Sequence, residues 1–185
     1  MNTDEEFKFA FADLATQYYV AGRLSARAAL APVYGNLLHH AVEMYLKAAL
    51  VGTVPVDELK ARRYSHDLPA LWQAFKNKFG DPALSRFDST FQALQPFEAI
   101  RYPDSIVASG MVVSIAWTPN HATTITASGK IPPKYEVIIA EVDDVIIEVL
   151  QRIPLNPKFL GNKIFFPAAR EALAYQNPQA TKWAK

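Results

Sequence analysis

The sequence predicts a mainly α-helical protein: an up-and-down bundle of four to five helices with a small inserted β-hairpin. Apolar residues recur every three or four positions in several long segments, which is the period of an amphipathic helix. The second of these segments is apolar around most of its circumference, as in a helix that other helices enclose. A short run of strand-forming residues near residue 112 interrupts the helical pattern and predicts the hairpin.

Length and composition predict one globular domain over residues 1–185, with enough apolar residues for a sizeable core. A formal net charge of +1 gives no global electrostatic case for binding nucleic acid or a membrane. The chain has no cysteine, which excludes disulfides, thiolate metal sites and a cysteine nucleophile. The polar, acidic start and the lack of an apolar run of about 20 residues predict a cytoplasmic protein outside the membrane.

The first two helices have the clearest periodic pattern. Thr3 and Glu6 form a capping box for the first helix. Its predicted core stripe is Phe7, Phe11, Leu14, Tyr18, Ala21 and Ser25. The second helix covers about 33–51, with a core side of Leu38, Val42, Tyr45 and Ala49 and a narrow polar strip of Asn36, His40, Glu43 and Lys47. Such a helix is central in a bundle or is buried by a partner chain.

The next two helices begin and end at recognisable signals. Ser65 or Asp67 is the predicted N-cap of a third helix over about 68–79. A fourth helical stretch runs over about 89–100, where Pro96 is expected to bend or split it. Pro103 is expected to stop this helix, which would leave Arg101 projecting from its last turn.

The second half of the chain combines strand and helix signals. Residues 111–117 and 122–127 flank a turn and predict a hairpin within an insertion at about 109–128. An amphipathic helix follows over 134–153. Its predicted core stripe is Tyr135, Ile138, Ile139, Val142, Ile146, Val149 and Ile153. The C-terminal extension at about 155–185 is expected to hold a short helix near 167–175 and a loosely specified end.

The sequence contains few motifs that indicate a specific chemistry. Phosphate-binding glycine loops and a serine-hydrolase elbow are absent. The pattern His39-His40-x-x-Glu43 raises the question of a metal, since a His and a Glu three apart share a helix face. However, the first and third helices offer no matching Glu-x-x-His. We interpret the strip as a solvated edge in which Glu43 pairs with Lys47, and we predict no metal and no cofactor.

Two other polar stretches each have two interpretations. Asp67 is explained as a helix cap, while Arg62, Arg63 and His66 form either a small anion site or a charged loop. At 101–104 the sequence Arg-Tyr-Pro-Asp is either a helix end with a packed tyrosine or part of an interface or ligand site.

Three segments in this order resemble the HEPN family: residues 36–50 (NLLHHAVEMYLKAAL), 64–68 (YSHDL) and 98–104 (EAIRYPD). The resemblance covers about 4–110 and makes the helix at 134–153 the last of the bundle. It implies an up-and-down helical bundle that is often dimeric. Many members of the family are ribonucleases, or partners of minimal nucleotidyltransferases in toxin–antitoxin pairs.

The chain departs from the family at the residues that cleave RNA. HEPN ribonucleases carry an arginine followed four to six residues later by a histidine on a late helix. After Arg101 the candidate positions are Ile106, Val107 and Ala108, and none is histidine. The inserted strands are a further departure. We therefore assign no catalytic residue, and enzymatic activity is not the favoured interpretation.

The leading hypothesis is a non-catalytic HEPN-like binding or assembly module, a homodimer associated with nucleotides or RNA or with a toxin–antitoxin system. The resemblance implies that the ligand or interface residues converge on one surface, and the candidates are Glu43, Lys47, His66, Asp67, Arg101 and Tyr102. Two alternatives remain open. One is an HEPN ribonuclease with a displaced site that uses His66 with Arg62 or Arg101, and the other is a nucleotide-binding partner of a separate minimal nucleotidyltransferase.

Overall fold

The structure of the chain, a computed structural model, describes residues 3–61, 64–119, 132–153, 155–156 and 158–183. These residues form a mainly helical fold with one two-stranded sheet. The helices are α1 (Thr3–Arg27), α2 (Val33–Leu50), α3 (Val56–Lys60), α4 (Leu68–Phe79), α5 (Asp88–Leu94), α6 (Pro103–Ser109), α7 (Ile139–Arg152), α8 (Lys158–Lys163) and α9 (Pro167–Ala174). The strands are β1 (Val112–Ala116) and β2 (Lys134–Ile138), and 3₁₀ turns cover Pro82–Phe87, Gln95–Glu98 and Ala180–Lys182.

Helix α2 lies at the centre of the fold, with α1, α4 and α7 packed around it. The residues predicted for its core side, Leu38, Val42, Tyr45 and Ala49, are all buried. The prediction of an enclosed helix is therefore confirmed. Because helices of the same chain enclose it, the apolar surface of α2 needs no partner chain to cover it.

Helix α1 runs antiparallel to α2 and approaches it closely. The Thr16 and Tyr45 hydroxyls are 2.9 Å apart, and a Cβ atom on Gly22 would lie 2.9 Å from Leu38 Cδ2. The predicted core stripe of α1 lies about one position away from the fully buried residues, although Phe7, Phe11 and Tyr18 are partly buried and pack against the core. Small residues at the contact with α2 allow the close approach. The buried residues are Ala12, Ala15, Thr16, Tyr19, Gly22, Arg23 and Ala26.

Helices α4 and α5 follow the predicted signals. The Asp67 side chain accepts a hydrogen bond of 2.9 Å from the Ala70 backbone N–H and caps α4. Trp72 of α4 stacks on Phe91 of α5, with ring centroids 4.2 Å apart. The predicted fourth helix is split at Pro96, since α5 gives way there to a 3₁₀ turn. Pro103 begins α6 at its first turn, a position that tolerates proline, so the chain resumes a helix there.

The predicted β-hairpin is wrong. Strand β1 lies where a strand was predicted, but it pairs in parallel with β2, with Val112 opposite Lys134 and Ala116 opposite Ile138. Strand β2 occupies the beginning of the segment predicted as a helix, because Tyr135, Val137 and Ile138 suit a strand as well as a helical stripe. The second strand predicted at 122–127 lies outside the described residues. Helix α7 consequently begins at Ile139 rather than at 134.

The C-terminal region belongs to the core through residue 183. Helix α9 lies where a short helix was predicted, and α8 precedes it. Leu160, Ile164, Leu173 and Trp183 are buried, so the expectation of a loosely specified end is wrong for these residues. Helix α9 packs on α1, which makes the extension a structural layer of the fold.

A buried polar network joins α1 to α7 and to the C-terminal region. The Arg23 guanidinium donates through Nη1 to the Asp143 carboxylate, 2.6 Å from Oδ2. It also donates through Nε to the Ala172 carbonyl at 2.9 Å and through Nη2 to the Tyr175 carbonyl. The Tyr19 hydroxyl donates to Asp143 Oδ1 at 2.6 Å. All three nitrogens of the buried guanidinium therefore have acceptors.

None of the helices in the described part of the chain is both long and apolar enough to cross a bilayer.

Candidate functional site

A second buried carboxylate, that of Glu43 on α2, lies at the centre of a polar cluster. Its Oε1 accepts from Lys47 Nζ at 2.7 Å and from the His66 backbone N–H at 3.3 Å. Its Oε2 lies 3.1 Å from His66 Nδ1, 3.3 Å from His40 Nδ1 and 3.9 Å from His39 Nε2. We call the following residues the Glu43 cluster: His39, His40, Glu43, Lys47, His66 and Glu98.

Helical spacing places four of these residues together. His39 and His40 precede Glu43 by four and three positions and Lys47 follows by four, so all four share one face of α2. The interpretation of this face as a solvated edge is wrong, because Glu43 is 0% exposed and Lys47 is 5% exposed. The predicted Glu43–Lys47 pair is confirmed. Tyr18 of α1 covers the face on one side, with its ring centroid 5.4 Å from that of His40.

His66 comes to the cluster from the loop before α4. Its φ angle is +62°, in the left-handed region that residues other than glycine seldom adopt. The Gln95 side chain holds this conformation: its Nε2 donates to the His66 carbonyl at 3.1 Å, and its Oε1 accepts from the Leu68 N–H at 2.9 Å. The His66 side chain is 37% exposed, so it forms the boundary between the buried carboxylate and solvent.

The polar array continues from His66 to the surface. Glu98 Oε2 lies 3.9 Å from His66 Nδ1, and Glu98 Oε1 lies 3.1 Å from Arg101 Nη2. The Arg101 guanidinium lies 4.9 Å from the centroid of the Tyr102 ring, and Tyr102 is 61% exposed. A continuous set of contacts thus leads from Glu43 inside the bundle to an exposed cation–aromatic pair.

The structure brings together most of the candidate site residues. Glu43, Lys47 and His66 are in direct contact, whereas Arg101 and Tyr102 join them through Glu98. Asp67 does not take part in the Glu43 cluster, because its carboxylate caps α4. Arg62, the other arginine of the displaced-site hypothesis, lies outside the described residues.

Three members of the cluster were not among the predicted ligand or interface residues: His39, His40 and Glu98. The two histidines carried a usable signal, since their spacing from Glu43 places them on its face. Glu98 was recognisable only as the residue three positions before Arg101, a spacing that allows the observed ion pair.

The environment sets the protonation of two buried members. Burial acts to raise the pKa of Glu43, but hydrogen bonds from His40 and Lys47 and the charges of Lys47 and His66 outweigh it, and the pKa falls to about 2. Burial lowers the pKa of His39, and its hydrogen bond to the Leu94 carbonyl and the charge of Glu43 offset this only in part. At neutral pH, Glu43 is therefore an anion and His39 is uncharged.

This arrangement is suited to two kinds of chemistry. A carboxylate that accepts from one ring nitrogen of a half-exposed histidine orients the imidazole, and the other nitrogen can then exchange protons with a ligand. Two sets of side chains also offer potential metal ligands within 4.8 Å of one another, namely His39, Glu43 and His66, and His40, His66 and Glu98.

Comparison with known proteins finds no similarity that assigns this chain to a family: no protein-family model, no curated protein and no solved structure matches it. The resemblance to the HEPN family rests on the three sequence segments and their spacing.

Proposed function

We propose that this chain is a cytoplasmic, non-catalytic HEPN-like binding module with the up-and-down bundle of that family. Its ligand in this proposal is a nucleotide or a single-stranded RNA, bound where the Glu43 cluster reaches the surface. The supporting observation is the Arg101–Tyr102 pair, in which a guanidinium lies 4.9 Å from the centroid of a ring that is 61% exposed. Guanidinium groups bind phosphate in a fixed geometry, and exposed aromatic rings stack on bases.

The position of Glu98 favours binding over cleavage. A metal-independent ribonuclease needs a cation and a proton-transfer group at the same phosphodiester. Here Glu98 lies between the two candidates, with one carboxylate oxygen near His66 and the other near Arg101. Its negative charge disfavours a phosphate between them, whereas the outer side of Arg101 beside Tyr102 is open to one.

Binding can be tested by fluorescence anisotropy with a labelled single-stranded RNA and with a labelled nucleotide. We expect Arg101→Ala and Tyr102→Ala each to weaken binding about tenfold, because stacking of one base contributes roughly 1–3 kcal/mol. Arg86→Ala is the matched control, since Arg86 is also exposed and lies 4.5 Å from the centroid of the Phe87 ring. No wild-type binding, or equal losses in all three variants, would overturn the proposal.

A ribonuclease with a displaced site is the second candidate function. The observation that favours it is the pair formed by Glu43 Oε2 and His66 Nδ1 at 3.1 Å, with the imidazole 37% exposed. Labelled RNA is incubated with the wild-type protein and with His66→Ala. Cleavage by the wild type alone would replace the binding proposal, while intact RNA in both samples would reject the enzyme.

Homodimerisation is the assembly part of the proposal. Since α2 is enclosed within its own chain, the support comes from another surface. Phe165 and Phe166, between α8 and α9, are 74% and 78% exposed, and with Val20 and Leu24 of α1 they line an apolar groove. Exposed apolar patches of this kind are typical of protein interfaces. Size-exclusion chromatography with light scattering tests the dimer, and a strict monomer at micromolar concentration would contradict it.

A separate minimal nucleotidyltransferase is the other partner class that the resemblance implies. Co-expression with a neighbouring nucleotidyltransferase gene and co-purification of the two chains would support that alternative. Separate elution of two folded proteins would reject it.

A further inference from the structure

The histidines of the chain are concentrated around one oxygen atom. The sequence contains four, and three of them, His39, His40 and His66, place a ring nitrogen within 3.9 Å of Glu43 Oε2. Two of these nitrogens, at 3.1 and 3.3 Å, account for ordinary hydrogen bonds to this oxygen. The third, Nε2 of His39, needs another explanation.

His39 presents an unprotonated nitrogen to an anion. Its Nδ1 lies 3.3 Å from the Leu94 carbonyl oxygen, an acceptor, so Nδ1 carries the proton of the uncharged ring. Nε2 then holds a bare lone pair and faces the Glu43 carboxylate at 3.9 Å. His39 is 0% exposed, and its Nε2 has no hydrogen-bond partner among the residues that the structure describes. Two buried acceptors that face each other repel unless a cation lies between them.

The separations fit a single metal ion. Ligand atoms around a tetrahedral ion at about 2.1 Å lie about 3.4 Å from one another. Glu43 Oε2 lies 3.1 Å from His66 Nδ1 and 3.9 Å from His39 Nε2, which brackets that value, and the three atoms lie within 4.8 Å of one another. We propose that His39 Nε2, Glu43 Oε2 and His66 Nδ1 bind a divalent transition-metal ion of the zinc class, with His40 and Glu98 beside the remaining coordination position.

The surroundings also match those of metal ligands. A histidine that binds a metal usually donates its other N–H to a carbonyl or carboxylate, as His39 Nδ1 does to Leu94. Lys47 and the His66 backbone N–H occupy Oε1 of Glu43, so the ion binds Oε2, where it replaces the proton between this oxygen and His66 Nδ1. Imidazole and carboxylate donors suit zinc and its neighbours among the divalent transition metals. The inference goes beyond the proposed function, since it requires no nucleotide or RNA.

The helical pattern alone could not reveal this site. The ligand from outside α2 is His66, and it comes from a loop in the left-handed conformation rather than from a matching helical motif. A metal was not predicted at this face of α2 because the face was expected to be solvated and because no other helix carries a matching Glu-x-x-His. In the structure Glu43 and His39 are both buried, so the first reason does not hold.

The test is a zinc titration of chelator-treated, dialysed protein against a chromophoric competitor. We expect the wild type to bind one equivalent of Zn²⁺ and His66→Ala to bind at least about tenfold more weakly, the smallest loss typical of disturbed metal sites. His121→Ala is the control, as His121 is the one histidine of the sequence that is not assigned to the Glu43 cluster, and this variant should bind like the wild type. Circular dichroism of each variant establishes that it is folded.

Cobalt provides a second measurement that does not depend on affinity. Co²⁺ in a four-coordinate site absorbs visible light far more strongly than hydrated Co²⁺, so the wild type should develop this absorption and His66→Ala should lose it. Equal zinc affinity in wild type and His66→Ala, or loss of binding in His121→Ala alone, would overturn the site. RNA binding by zinc-free protein would leave the proposed function intact whatever the zinc result, so the two can fail separately.

Discussion

Asp143 on α7 and Glu43 on α2 are both 0% exposed, and each lies beside a basic residue, yet the two carboxylates have different surroundings. Burial raises the pKa of Asp143 to about 6, and the Arg23 charge and the Tyr19 hydrogen bond offset only part of this. At Glu43 the partners outweigh burial, and the pKa is about 2. Burial alone therefore does not determine how a carboxylate behaves.

The more informative difference is where each network ends. The Asp143 network is closed: each nitrogen of Arg23 has an acceptor, and Asn177 Nδ2 donates to the Tyr19 hydroxyl at 3.0 Å. The Glu43 network reaches solvent at His66 and contains a buried nitrogen, His39 Nε2, that has no hydrogen-bond partner among the described residues. A closed network holds elements together, whereas an open one with an unsatisfied atom is a place for a ligand.

The largest effect should come from breaking the closed network. Arg23→Ala leaves the buried Asp143 carboxylate without its cation, and we expect the free energy of unfolding to fall by about 3–5 kcal/mol. Arg27→Ala removes an arginine one helical turn later, whose pair with Glu171 is exposed, and should cost less than about 1 kcal/mol. Urea denaturation at neutral pH measures both. Equal losses would show that Arg23 is not a structural centre.

A pH titration should distinguish Glu43 from an ordinary surface carboxylate. Because its folded-state pKa of about 2 lies below the ordinary value of 4.5, ionised Glu43 stabilises the fold above pH 4.5. This contribution is lost as the pH falls from 4.5 towards 2, and it amounts to roughly 3 kcal/mol at most, at about 1.4 kcal/mol per pH unit.

Glu43→Gln provides the comparison, since it removes the charge and keeps the shape. In metal-free buffer, the difference in unfolding free energy between wild type and Glu43→Gln should shrink as the pH falls through that window. A difference that is constant from pH 6 down to the acid limit would contradict the assignment of a lowered pKa to Glu43.

The smallest expected effect concerns the backbone at His66. With φ at +62°, alanine is strained at this position and glycine is not, so His66→Gly should be more stable than His66→Ala by roughly 1 kcal/mol. Both variants lack the imidazole, so ligand chemistry cancels and chemical denaturation reports the backbone alone. A more stable alanine variant would indicate that the loop leaves the left-handed region once the ring is gone.

Local patterns explain which parts of the fold were predictable. Helix α2, the Asp67 cap and the break at Pro96 each follow from residues within a few positions of one another. The buried face of α1 could not be predicted in this way. An arginine such as Arg23 is expected to be exposed to solvent, and its buried partner Asp143 lies 120 positions away in the sequence. The prediction for the segment of strand β2 was wrong for a similar reason, because its parallel pairing with β1 joins residues that are distant in the sequence.

The same division applies to the candidate site. The Glu43–Lys47 pair follows from helical spacing, and the pattern already placed His39 and His40 beside it. The position of His66 beside Glu43 depends on its own left-handed backbone conformation and on the Gln95 side chain that stabilises this conformation. Neither feature has a periodic signature in the sequence. The burial of Glu43 depends on how α1 and the 95–98 turn cover α2, which only the assembled bundle decides.

The contacts of Arg23 also set an order of events during biosynthesis. Its acceptors at Ala172 and Tyr175 lie 149 and 152 positions downstream, so a ribosome adds about 150 residues after Arg23 before they exist. Until then the Arg23 guanidinium on α1 can pair with Asp143 but lacks the acceptors of its Nε and Nη2 atoms, and the surface of α1 that packs against α9 is uncovered. The Arg23 network therefore closes only after residues 172–175 leave the exit tunnel, and a nascent chain stalled before that point is a natural client for chaperones.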